Sequence, residues 1–264
     1  MSDSVLPYLS NDNPKIRLEA VQTFSSLKFE DKQKLNPQQE IQVNKLLHKF
    51  FVTATTDPDI AIRTQMLMKL NSDLDPFIAR YENLLMLFNC MRDSNNQINI
   101  KTIKILGRLT NINPQHILPY LRNLIVSLIS QLEHSHQYKE REDAAKLIKA
   151  FVKYNRELSK SYAQSILNCL FQRIDQDKRQ KITTPFISAL LEVMREISFV
   201  DPDATKPYIG QIFPLILESV KDQSDSYKRE VALNTLIAII DNTGFVVKPY
   251  FFYPELLTII RNLV

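Results

Sequence analysis

The sequence predicts an all-α solenoid of about six antiparallel helix pairs, and three observations point to it. A proline followed by an aromatic ring recurs along the 264 residues: Pro76-Phe77, Pro119-Tyr120, Pro207-Tyr208 and Pro249-Tyr250, with Ser161-Tyr162 as a weaker copy. The aromatic positions 77, 120, 162, 208 and 250 step by 43, 42, 46 and 42. The amphipathic segments TIKILGRL (102–109), AAKLIKAF (144–151), LLEVMREI (190–197) and ALNTLIAI (232–239) step by 42, 46 and 42, and each ends ten residues before the next dipeptide begins. The chain has only three glycines, too few for β-rich folds with many tight turns or for a glycine-rich phosphate loop.

A period in the low forties is that of two-helix HEAT and armadillo repeats. It divides residues 1–264 into one array of pairs at about 14–55, 58–92, 96–133, 138–175, 181–221 and 225–264. The first pair opens in NDNPKIRLEA, with Asn13 as N-cap and Pro14 at the first helical position; its helices are placed at about 14–28 and 37–55. The second opens in TDPDIAIR, where Asp57 reads as N-cap, Pro58 as the first helical residue and Asp59 as a first-turn acid facing Arg63 at i, i+4. In the third, ILPYLRNLIVSLISQL places Leu118, Leu121, Leu124, Ile125, Leu128, Ile129 and Leu132 at helical spacing. The fourth ends in the charged run RIDQDKRQK (173–181), expected to be a mobile surface loop. In the fifth and sixth, Pro214 and Pro254 follow the repeat prolines closely, which predicts kinked or late second helices, and Asp225 faces Arg229 at i, i+4. Proline suits a first helical turn and no interior one, so the dipeptide is expected to mark the loop between the helices of a pair, its ring over the junction between neighbouring pairs.

One pair alone leaves an apolar face bare, so pairs must stack on a shared core. The chain stops in YPELLTIIRNLV with no polar cap after it, which predicts a piece of a longer solenoid and a sticky isolated chain.

Net charge is +4 and dispersed, with 44% apolar and 23% charged residues, which gives no electrostatic case for nucleic acid. Cys90 and Cys169 lie in the apolar runs LFNCM and LNCLF and read as free core thiols in a reducing compartment. No apolar run approaches a membrane span, and the first residues lack the features of a secretory signal. His134 and His136 in EHSH stand two apart with no further ligand near, so they read as surface histidines, as do the isolated His48 and His116. YKEREDAAK reads as a solvated face, and DKRQK lacks the aromatics of a nucleic-acid site. Spacing assigns no catalytic, cofactor-binding or metal-binding residue and implies no cofactor.

Four stretches carry a more specific likeness. ILGRLTNINPQHILPYLRNLIVSLISQLEHS (105–135) and KREVALNTLIAIIDNTGFVVKPYFFYPELLTIIRNL (228–263), with DPDIAIRTQMLMKL and YENLLMLFNCMRD before them, resemble the helical-repeat region of the target-of-rapamycin serine/threonine kinases, in consistent order over about residues 57–264. The resemblance implies a non-catalytic HEAT scaffold segment of a phosphatidylinositol-3-kinase-related protein kinase in growth and nutrient signalling, its kinase domain elsewhere in the parent chain. It implies as partners the subunits of the kinase complex, the rest of the kinase chain and a second copy, in the cytoplasm with recruitment to endomembrane surfaces. The kinase's glycine-rich loop, catalytic-loop acid and DFG are not in this sequence. A free-standing HEAT adaptor, of transport-receptor or phosphatase-scaffold type, is the alternative.

Overall fold

The computed structural model describes residues 6–23, 37–177 and 183–263. Among them are sixteen α-helices and no strand. The chain forms two compact units, Met1–Arg122 and Asn123–Val264. The first holds α1 (Pro14–Thr23), α2 (Pro37–Thr56), α3 (Ile60–Met68), α4 (Asp75–Ile78), α5 (Tyr81–Cys90), α6 (Asn96–Leu109) and the start of α7 (Pro114–His134). The second holds the rest of α7, then α8 (Tyr138–Tyr154), α9 (Arg156–Lys160), α10 (Ala163–Asp177), α11 (Thr184–Val200), α12 (Pro202–Thr205), α13 (Ile209–Lys221), α14 (Ser226–Thr243), α15 (Lys248–Phe252) and α16 (Glu255–Leu263).

Within the first unit α1 packs on α3 and α3 on α6, while α2 packs on α5. Within the second, α8 packs on α11, α11 on α14, and α13 on α16. First helices thus stack on first helices and second on second, the construction of an α-solenoid. Helical periodicity supplies the faces: in α6, Ile98, Thr102, Ile105 and Leu109 are buried while Gln97 and Lys104 face water. α11 lies between α8 and α14 and is buried nearly all round, from Phe186 to Ser198, which explains its continuous apolar character.

Helix starts follow the sequence with one shift. The side chains of Asp59, Asn95, Asp201 and Asp225 accept the backbone N–H of Ala61, Gln97, Ala204 and Lys228. Asp59, and not Asp57, is therefore the N-cap of α3. The Asp59–Arg63 reading gives way as well, since Arg63 reaches across to Asp93, while Asp225 caps the Lys228 N–H. α14 ends at Gly244, whose φ of 73° is the left-handed conformation that a helix C-terminus asks of glycine.

The second helices depart most from expectation. Those of four pairs are split into a short turn and a long helix: α4 and α5, α9 and α10, α12 and α13 (joined by a 3-10 turn, Lys206–Tyr208), α15 and α16. α7 instead runs unbroken through Pro119, so this proline does not mark a loop. The N–H it lacks would have met Gln115, near the start of α7; both residues are exposed, so water reaches the freed carbonyl. Pro214 likewise lies inside α13. Residues 173–177 of the expected charged loop continue α10; the remainder, like residues 24–28 of the first expected helix, lies outside the described residues.

Candidate interaction surfaces

In the first unit, guanidinium–carboxylate forks tie successive pairs together. Arg17 of α1 donates from Nε and Nη2 to Asp57 at 2.8 and 3.1 Å, and from Nη1 to the carbonyls of Asn11 and Asp12. Arg63 of α3 repeats this: Nε and Nη2 reach Asp93 at 2.8 and 3.1 Å, and Nη1 the carbonyls of Asp57 and Pro58. Each receiving aspartate also accepts the N–H of the following N-cap residue, Asp59 or Asn95, at 2.8 Å. One arginine thereby fixes its own loop and the next. Asn99, the α6 counterpart of Arg63, is too short for the fork and donates only to the Asp93 carbonyl, at 3.0 Å. A third fork joins Arg108 at the end of α6 to buried Asp75, with a bond to the Leu70 carbonyl at 2.9 Å.

In the second unit a single carboxylate serves three helices. Glu192 of α11, 8% exposed, receives Lys149 Nζ from α8 at 2.5 Å and Tyr227 Oη from α14 at 3.3 Å. Partial burial and the Glu192 charge raise the Tyr227 phenol above its ordinary pKa. Thr235 Oγ1 donates to the Leu191 carbonyl and Asn242 Nδ2 to Ser198 Oγ, so α14 is hydrogen-bonded to α11 along its length.

Two of the repeat rings are seen to bridge pairs. Tyr120 stacks on Phe88 of α5 at 3.9 Å and 12°, and Tyr208 on Phe171 of α10 at 5.1 Å and 4°. The Tyr208 hydroxyl donates to Asn168 and accepts from Gln164 at 2.6 Å. Pro76 and Phe77 open α4, with the Phe77 ring under the Arg80 guanidinium of the same pair. Tyr162 is half-buried at the start of α10, and its N–H donates to the Ser159 carbonyl. Pro207 occupies the 3-10 turn. Pro249 is buried in α15 and Tyr250 half-buried, while Tyr253 makes the ring contact there, edge-on to Phe213 at 6.3 Å. The partner rings Phe88, Phe171 and Phe213 were not singled out by the sequence reading, although Phe88 and Phe171 stand in the two cysteine-bearing runs.

Two openings lie between second helices. In the first unit a cleft of about 760 Å³ between α2 and α5 is lined by Lys45, His48, Arg80, Tyr81 and Met86, with Arg80 paired to Glu40 at 3.3 Å. In the second unit a groove of about 350 Å³ runs between α10 and α13, with Phe171, Ile174 and Leu215 on its walls and Asp175 and Glu218 at its mouth. The thiols are not surface groups: burial pushes Cys90 up to about 12 and Cys169 to about 11, with Asp93 and Glu133 adding to the rise. His134 and His136 are exposed, His134 lying 3.7 Å from Glu133. Among the described residues no cluster of three His, Cys, Asp or Glu side chains is placed to hold a metal ion, and no helix is long and apolar enough to cross a membrane.

Residues 81–246, more than half of the chain, match the family described as "Rapamycin-insensitive companion of mTOR, N-term". Three similar proteins bear kinase titles. Serine/threonine-protein kinase TOR2 of Saccharomyces cerevisiae is 35% identical over 84% of this chain and 9% of its own length. Serine/threonine-protein kinase tor1 of Schizosaccharomyces pombe is 34% identical over 97% of this chain and 11% of its own. Serine/threonine-protein kinase TOR of Arabidopsis thaliana is 30% identical over 84% and 9%. The chain therefore spans about a tenth of the length of these relatives. The family description names a companion of the kinase and the relatives are kinases by title, so the two comparisons share a stretch of helical chain and not an activity. The chain belongs to the family that description names, and with it to the helical-repeat region of the target-of-rapamycin proteins.

Proposed function

We propose that this chain is a non-catalytic scaffold segment of a target-of-rapamycin serine/threonine kinase, shaping the complex and presenting protein-binding surface while phosphotransfer takes place elsewhere in the parent chain. The carrying observation is the seam between pairs. The buried charges Arg17, Asp57, Asp75 and Glu192, and half-buried Asp93, are engaged in holding neighbouring helices together. Groups satisfied in this way maintain geometry and are not free to attack a substrate or move its protons. The exposed surface offers clefts between second helices, the kind of surface on which repeat proteins receive partners. The partners on this reading are the other subunits of the kinase complex, the rest of the parent chain and a second copy of it, and the setting is cytoplasmic, with recruitment to endomembrane surfaces through the complex.

The test is made in the full-length kinase. Arg108→Glu sets like charge against Asp75 at a seam. It is expected to lower the yield of co-purifying subunits while peptide phosphorylation per kinase molecule stays within about twofold of wild type. Loss of peptide phosphorylation with subunit recovery unchanged would overturn the proposal.

A further inference from the structure

We propose that the flank of the second unit formed by α14 and α15 is a self-complementary interface that receives a second copy of this chain across a two-fold axis. This rests on the scaffold reading and gives one of its partners, the second copy, a face. The seams between pairs show what that side of a pair receives. The short turn that opens a second helix packs on the first helix of the following pair, α9 on α11 and α12 on α14. α15 is the next turn in this series, and no first helix follows it among the described residues.

The residue after each repeat aromatic records the difference. Ile78, Leu121, Ala163 and Ile209 are buried, whereas Phe251 is 77% exposed. The Phe251 N–H donates to the Val247 carbonyl one turn back, so both side chains stand on one face of α15, and Val247 is 73% exposed. Val246 and Phe252 are exposed beside them, the Phe252 ring edge-on to Phe251 at 5.6 Å. α14 adds to this side. Thr235 donates to α11, so Ile237, about 200° round the helix from it, faces away from α11, and it is exposed. Leu233 and Ile240, at helical spacing from Ile237, are half-buried.

Three features select a second copy as the occupant. α14 is itself a first helix, the element this side receives in the earlier seams, so a two-fold lays each α14 on the other's open flank. The flank is also free of charge where the copies would meet. By the 42-residue step, Glu192 and Ser198, which tie α11 to α14, correspond to neutral Asn234 and apolar Ile240. Glu230 and Gly244 lie seven residues either side of Ile237, so antiparallel helices centred there set each carboxylate against glycine and not against its own copy. Finally, Ile237 and the four exposed residues of 246–252 offer on the order of 600 Å² of apolar surface, close to the ~800 Å² that each side of a stable interface contributes.

The test is sedimentation velocity on the 264-residue chain over a wide range of concentration. A monomer–dimer equilibrium is expected, and high salt should not weaken it, because its core is apolar. Phe251→Glu and Val247→Glu should each raise the dissociation constant about tenfold or more. Val126→Glu, at an exposed position on α7, should leave it alone. Circular dichroism on each variant separates lost pairing from lost fold. A monomer at every concentration would overturn the proposal and give the face to another protein's helix. Assemblies that grow beyond a dimer, pairing lost in salt, or equal losses from Phe251→Glu and Val126→Glu would overturn it as well. Failure here leaves the Arg108→Glu test, in another unit and another assay, to decide the scaffold reading by itself.

Discussion

The two units solve one problem with different chemistry. In the first, each seam is closed at the loop end of the first helices, where Arg17 and Arg63 gather their own loop carbonyls and the next loop's aspartate. In the second, the seam is closed along the helix flanks, where Glu192 is shared by Lys149 and Tyr227 and the hydroxyl of Thr235 adds a bond to α11. Like helices stack on like in both. What recurs is the apolar face and the helix start; the polar ties are interchangeable means of fixing register. They differ in exposure, the Arg63 and Asp93 side chains being 11% and 9% exposed and that of Lys149 26%. A guanidinium fork at a dry loop should therefore be harder to lose than an ammonium that can turn to water.

That ranking can be broken by measurement. Asp93→Ala strands the Arg63 fork and removes the acceptor for the Asn95 N–H; it should cost about 3–5 kcal/mol in denaturant unfolding. Glu192→Ala should cost less, about 1.5–3 kcal/mol, because Lys149 regains water. A larger loss at Glu192 than at Asp93 would reverse the comparison. Tyr208→Phe keeps the stack on Phe171 and removes only the hydroxyl's two bonds, for about 1 kcal/mol. The smallest effect is on the thiols, one in each unit. Burial favours the neutral thiol in the fold, so this contribution is intact below the ordinary thiol pKa and lost as pH rises towards about 11 for Cys169 and about 12 for Cys90. Ellman's reagent should react slowly with the native chain at neutral pH, and Cys169 should respond before Cys90 as pH is raised.

Much of this arrangement is legible in the sequence, for reasons that particular residues make plain. The pairs follow from the interval and from apolar spacing, because both act within a helix. Asn13 is recognisable as a cap because it stands directly before Pro14 and Lys15, not a second Asn or Asp, follows the proline, and its side chain does accept the Lys15 N–H. In DPD two aspartates competed for the cap. Only Arg17, forty residues earlier, decides between them, drawing Asp57 into the seam and leaving Asp59 to cap α3. Arg108 and Asp75 carry no local sign of their pairing.

α11 carries a consequence of its own. A helix with neighbours on both flanks cannot peel away as a terminal helix does, because removing it uncovers two surfaces at once. Pulled from its C-terminal end in an optical trap, the second unit should give up α16 and α15 readily and then resist where α14 must be stripped from α11. The force trace would show a plateau at that step, because stripping α14 uncovers the flank of α11 that it had covered.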